Sequence, residues 1–163
     1  MPDRLKCRHQ ENIMHAKEYL KQYKGIATKI RLLEEDILAI EASIGSAPAP
    51  KDKDMPHTPS TRNTTEDMLV RLIDLKRDKE NLLHEAQIKR AEISGTVEEL
   101  AHIDDPNASA YMTLLYDRYI RLMPWDEIAA SMQYGETYTR GALHGKALLA
   151  ISPLIKKEKQ KKK

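Results

Sequence analysis

The chain has 163 residues, 32% of them charged and 5% aromatic, with no phenylalanine and a mean hydropathy of −0.63. So much charge and so few large rings fit elongated helices around one small core better than a sandwich or an α/β fold. One cysteine, Cys7, excludes an internal disulfide and a cysteine-rich zinc site, and Cys7-Arg8-His9 with His15 is too sparse for a metal.

From about Glu11 to Ile44 the residues read as one long helix. Ile26, Ile30, Leu33, Ile37, Ile40 and Ile44 alternate at spacings of four and three, which is a heptad seam. Upstream, Ile13, Leu20 and Ala27 keep a seven-residue spacing in a shifted register, so a stutter falls near Tyr23 to Ala27. Gly45 and the prolines at 48 and 50 stop the helix. Residues 46–63 have no periodicity and are expected to be an irregular, mobile loop. Thr64-Thr65-Glu66-Asp67 then caps a second long helix, from about Thr65 to Ile93 or Leu100, with Gly95 marking a break. Met68, Leu72, Leu75, Leu82 and Ala86 form its stripe, interrupted by Lys79 and Lys89, and Leu69, Ile73 and Leu83 widen it. Two helices of similar length, joined by a proline-rich loop, are expected to fold back as a long antiparallel coiled-coil hairpin over residues 1–103. The widened face calls for a further packing partner, and a homodimer through the hairpin is the expectation.

Asp104-Asp105-Pro106-Asn107 announces a third helix with Tyr111, Leu114, Leu115, Tyr119 and Leu122 inward and Arg118 and Arg121 outward. A short helix follows Pro124, a residue suited to a first turn because it has no N–H to lose there, and Asp126 and Glu127 sit at its positive end. Ile128 and Met132 share its inner face, and Tyr134 is the apolar residue of a turn. Gly135-Glu136 restarts a helix whose inner face is Thr139, Ala142, Leu143, Ala147 and Ala150. Two short helices about a tight turn place a recognition helix in the major groove. The expected fold is therefore all-α, a coiled-coil hairpin followed by a compact trihelical helix-turn-helix domain over residues 104–154, with Trp125 as its packing anchor. Residues 155–163 complete the chain as a basic disordered tail. Charge is uneven: residues 1–103 carry a net −1 and residues 104–163 a net +3, which together make the chain's +2. A basic tail beside such a motif adds sequence-independent phosphate attraction.

Trp125-Asp126-Glu127-Ile128-Ala129 followed by Leu143-His144 resembles the fourth conserved region of sigma factors, which reads promoter DNA. Thr139 stands where that pattern usually has valine or isoleucine, and Gln133 where it usually has glycine. Beyond that region, the linker Asp54-Met55-Pro56-His57-Thr58-Pro59-Ser60-Thr61-Arg62-Asn63 is similar to one in a family of phage and prophage proteins of Gram-positive bacteria. The likeness extends to Ala16-Lys17-Glu18-Tyr19-Leu20, Glu66-Asp67, Leu72-Ile73-Asp74-Leu75 and Leu143-His144-Gly145-Lys146-Ala147-Leu148, nearly the whole chain. That family's spacing between the turn tyrosine and Leu-His is one residue shorter than Tyr134 to Leu143-His144. Its members look like relatives of phage late-gene transcription activators, so the resemblance implies a phage regulator.

The expected function is a sequence-specific DNA-binding transcriptional regulator. Its recognition helix would present Thr137, Tyr138, Arg140, Gly141 and His144, with Arg140 paired to guanine O6 and N7. Lys146 and the terminal lysines would meet phosphates. Gly141 and Gly145 each weaken a helix by about 1 kcal/mol relative to alanine, and either admit a close backbone or leave the helix ordered only when bound. The partners expected are double-stranded DNA, RNA polymerase and a second copy of the chain. Two alternatives are a DNA-packaging protein like the small terminase subunits, and a coiled-coil interaction protein that binds no DNA. No nucleophile–histidine–acid order or glycine-rich phosphate loop is present, so neither enzymatic activity nor a cofactor is expected. No apolar run approaches the ~20 residues that span a bilayer and the start has no signal-peptide apolar region, so no membrane partner is expected and the compartment expected is the cytoplasm of the bacterial host.

Overall fold

The computed structural model describes residues 2–46 and 64–161, and the described residues are helical with no strand. Helix α1 spans Pro2–Gly45 and α2 spans Thr64–Glu98, followed by a 3-10 turn at Glu99–His102. Next come α3 at Ala108–Tyr119, α4 at Trp125–Met132 and α5 at Glu136–Tyr138, then a π-helical turn at Thr139–Leu143 and α6 at His144–Lys161. The proline-rich loop expected at 46–63 lies outside the described residues from 47 onward. Gly95 does not break α2, which runs through it to Glu98; the glycine is exposed and its missing side chain simply leaves open space. No helix among the described residues is long and apolar enough to cross a membrane.

The chain divides into two compact units, and not at residue 103. One comprises residues 27–85 and contains only parts of α1 and α2. Within it Ile37 is buried and Ile30, Leu33, Ile40 and Ile44 are half-buried, as the seam requires; Leu72, Leu75 and Leu82 match them from α2. Lys79 meets Glu34 at 2.8 Å and Lys76 meets Glu41 at 2.8 Å, so the two segments run in opposite directions. Lys79, which interrupts the apolar stripe, thus has a carboxylate to face. Exposed pairs of this kind set register more than they stabilise, each contributing about 0–1 kcal/mol. Leu69, Ile73 and Leu83 remain exposed on the unit's surface.

The other unit joins residues 1–26 to 86–163. Its core takes Ala16, Tyr19 and Leu20 from α1 and Ile93 and Val97 from α2. To these it adds Tyr111, Leu114, Leu115 and Tyr119 from α3, Ile128 from α4, and Leu148, Ile151 and Ile155 from α6. A fully buried leucine or isoleucine contributes about 1.5–3 kcal/mol, so the ends of both long helices are structural members of this unit. A buried polar knot ties them together: the Tyr19 hydroxyl donates to Glu158 Oε2 at 2.8 Å and lies 3.0 Å from Thr96 Oγ1, which itself donates to the same Glu158 oxygen. Burial pushes the Tyr19 phenol well up from its ordinary value, with the Glu158 carboxylate adding to the rise, so it stays a donor.

That knot also corrects the expectation of a disordered tail over 155–163 as far as Lys161; residues 162 and 163 lie outside the described residues. Helix α6 continues to Lys161 because its apolar face does: Ile151 and Ile155, four apart, are fully buried. Glu158 extends the same face onto Tyr19, and Lys156 donates to Asn12 Oδ1 at 3.0 Å.

Candidate nucleic-acid interface

Helix α3 ends at Tyr119, and the chain turns through Leu122, whose φ of 59° lies in the left-handed region. That turn takes Leu122 off the inner face expected of it and leaves it exposed, while Ile120 is buried instead. Asn107 immediately precedes α3, and its backbone N–H donates to Asp105 Oδ1 at 2.7 Å. Pro124 caps α4 in extended conformation, and Ile128 and Ala129 are buried beneath it. Gln133 closes α4 with φ 58°, donating to the Ala130 carbonyl at 3.2 Å while the Tyr134 N–H reaches the Ala129 carbonyl at 3.1 Å. This is a left-handed helix stop of the kind glycine usually occupies. Tyr134 packs edge-on against Tyr138 across the turn, ring centroids 5.5 Å apart.

The following helix is not regular. Thr139–Leu143 form a π turn, which holds one residue more than an α turn. Up to Thr139 the inner face is as expected, and Thr139 is fully buried with its hydroxyl donated to the Gly135 carbonyl at 3.0 Å. Past the π turn the buried set becomes Leu143, His144, Ala147, Leu148 and Ile151. The extra residue rotates the two ends relative to each other. Two expectations are overturned by it: Ala142 is exposed instead of inward, and His144 is buried instead of outward. His144 is therefore packed in the core and reaches the surface only as part of the lining of a cleft. Thr137, Tyr138, Arg140, Gly141 and Lys146 are all exposed. A side chain at Gly141 or Gly145 would meet nothing within 4 Å, so neither glycine serves a close approach inside the chain.

His144 is instead a structural hub. Its Nε2 lies 3.0 Å from the Tyr119 hydroxyl, and Trp125 packs edge-on at 4.9 Å between centroids. Burial lowers the His144 pKa to about 4, with Lys17, Arg118 and Lys21 pushing the same way. The ring is thus neutral at pH 7. Burial likewise raises the Tyr119 phenol to about 12, so two neutral groups share one proton in this contact. Arg118 lies over the Trp125 ring at 4.7 Å and donates to the Met123 carbonyl at 2.8 Å. Trp125 is half-buried in this stack.

Around the hub lies a cleft of about 300 Å³, lined by Lys17, Lys21, Lys24, Arg118, Tyr119, Trp125, Arg140 and His144. The lysines stand four and three apart on α1, so they share the face that borders the buried Ala16 and Leu20. Of these cations sequence reasoning singled out Arg140 alone as a binding residue. The lysine spacing was a usable signal, but nothing local says that α1 meets residues more than ninety positions away. Among the described residues no cluster of His, Cys, Asp and Glu is arranged to hold a metal. Comparison with protein-family models, curated proteins and solved structures finds no match for this chain.

Proposed function

We propose that this chain is a sequence-specific DNA-binding transcriptional regulator, an activator of phage late genes acting in the cytoplasm of a bacterial host. On this reading α4, its turn and α5 with the π turn make a helix-turn-helix, and residues 27–85 form the body of a coiled-coil hairpin. The observation that carries it is the exposed leading edge after a tight left-handed turn: Thr137, Tyr138, Arg140 and Gly141 face outward over a buried Thr139. Arg140 would read guanine, Thr137 and Tyr138 a phosphate or base edge, and Lys146 with the terminal lysines the backbone. Bare backbone at Gly141 admits a close groove wall. The phage and late-gene parts rest on sequence resemblance alone, that of the linker at 54–63 and of the segments 16–20, 66–67, 72–75 and 143–148. RNA polymerase would be a second partner, reached through the hairpin.

Titration against genomic duplex fragments at two salt concentrations tests the reading. Arg140→Ala is expected to lose about 1–3 kcal/mol on the specific site and much less on random DNA. Removing the lysines at 156, 157, 159 and 161–163 should weaken all duplexes alike and flatten the salt dependence. A wild type that binds no duplex at low salt refutes the proposal.

A helix-turn-helix joined to long helices also serves DNA packaging, in rings of many copies. We propose a dimer instead, with the exposed Leu69, Ile73 and Leu83 covered by a second copy, since helix-turn-helix proteins commonly read paired half-sites as dimers. Light scattering decides: Leu69→Lys with Ile73→Lys should convert dimer to monomer, whereas a ring of eight or more chains points to packaging and a wild-type monomer at high micromolar concentration refutes both assemblies.

A further inference from the structure

The cleft around His144 brings five cations together and its lining contains no carboxylate. Among the described residues none of Lys17, Lys21, Arg118 or Arg140 is held by an acidic side chain. Like charges gathered in a concave wall raise the local potential and concentrate anions there. The His144 imidazole, held low first by burial, is pushed further the same way by Lys17, Arg118 and Lys21, which agrees with that field. The floor of the cleft is neutral and rigid: Trp125 is held under Arg118, and the imidazole is fixed by the Tyr119 hydroxyl. A site of about 300 Å³ lies at the small end of ligand pockets, room for a compact anion with some of its water. Guanidinium and ammonium groups converging on one spot match the several acceptor oxygens of a tetrahedral oxyanion.

We propose that this cleft is a phosphate-binding site, seating one phosphate group between the α1 lysines and the arginines at 118 and 140. Lys17 and Lys21 supply mobile ammonium donors from one wall. Arg140 closes the other, and Arg118, already fixed on Trp125 and the Met123 carbonyl, supplies a preset fork. The inference stands on the cleft, shares Arg140 with the proposed groove reading, and goes beyond that reading through Lys17, Lys21 and Arg118. The phosphate belongs either to a nucleic-acid backbone, in which case α1 joins the DNA interface, or to a small phosphorylated ligand.

Trp125 is the only tryptophan and lines the cleft, so its emission reports occupancy directly. Full-length protein is titrated with inorganic phosphate at constant ionic strength, with chloride exchanged for phosphate. A saturable emission change is expected. Lys21→Gln with Arg140→Gln should weaken it at least tenfold, while Lys156→Gln with Lys157→Gln, which removes equal charge elsewhere, should shift it less than twofold. All four positions are exposed, and far-ultraviolet circular dichroism confirms that each variant is folded. An emission change linear in phosphate, or equal affinity in both double variants, overturns the site. A labelled duplex then separates the two sources. Displacement of duplex as the cleft fills assigns the phosphate to the nucleic-acid backbone; saturable phosphate binding without effect on duplex assigns it to a small ligand, and both outcomes support the site. Duplex binding with no saturable phosphate effect removes this site and leaves the DNA-binding proposal intact.

Discussion

Gln133 occupies the one position in the turn where the backbone is left-handed and a side chain is a liability. A non-glycine residue there is disfavoured by about 1–2 kcal/mol, partly recovered through the lower entropy of its unfolded chain. Gln133→Gly is therefore expected to stabilise the protein by about 1 kcal/mol and raise Tm by about 2–4 °C, measured by thermal denaturation; a lower Tm would refute the strain. Sequence resemblance flagged this residue as unusual without saying why, and the dihedral supplies the reason. His144 was misplaced by the same local reasoning, because an assumed 3.6-residue period carried it outward. Its burial has a pH consequence. The folded pKa of about 4 lies below the unfolded 6.5, so the folded state binds fewer protons. Stability is complete above about 6.5 and falls as the pH drops from there toward 4. The loss is about 2 kcal/mol by pH 5. The groups facing the ring are Lys17 and Lys21 of α1, the Arg118 guanidinium and the Tyr119 phenol, and burial raises that phenol to about 12, so it stays protonated across that window. Urea midpoints of wild type and His144→Gln at pH 7.5 and pH 5 isolate the effect, since carboxylates contribute equally to both. Equal acid sensitivity in the two proteins would show that the imidazole charges freely in the folded state.

At the scale of elements, amphipathic periods made both long helices and α4 legible, because each buries one stripe that recurs at three and four residues. A π turn leaves no such mark. It appears in sequence only as a mismatch, here Ala142 and His144 exchanging the faces that a regular helix gives them. If the π turn is an inserted residue in an otherwise α-helical path, deleting exposed Ala142 should give a regular helix with Thr139 and Leu143 still inward. Stability should then stay within about 1 kcal/mol of wild type, since no core contact is lost. Thermal and urea denaturation of the deletion variant check this, and cooperative unfolding lost altogether would show that the turn is required by packing. Gly141→Ala is a milder probe. Nothing lies within 4 Å of the added carbon, so helix propensity should raise stability by about 0.5–1 kcal/mol. Should the same variant lose duplex affinity, the bare backbone serves a partner rather than the fold.

The whole molecule departs furthest from its sequence reading in where it divides. Composition and the Asp104-Asp105-Pro106 break suggest a boundary at 103, because local signals see capping and proline but not which distant faces meet. The core instead gathers Ala16, Tyr19 and Leu20 with Ile93, Val97 and Leu100, around helices that begin after residue 107. Residues 104–163 alone would therefore present Leu114, Leu115, Leu148 and Ile151 with part of their covering missing, and would leave Glu158 without Tyr19 and Thr96. At about 1.5–3 kcal/mol for each lost large apolar neighbour, against a total stability of about 5–15 kcal/mol, that fragment is expected not to fold cooperatively. A second variant distinguishes a missing core from mere shortening. Replacing residues 27–85 by a flexible linker of about eight Gly and Ser residues keeps every buried residue from Ala16 to Leu20 and from Ile93 to Ile155. Although it removes 59 residues, just over a third of the 163-residue chain, it should unfold in one cooperative transition. Its near-ultraviolet circular dichroism should keep the signal of Trp125 packed on His144 and Arg118. Circular dichroism melts of the two variants decide the matter: a folded 104–163 fragment would restore the boundary at 103, and an unfolded linker variant would show that residues 27–85 are needed for the other unit to form.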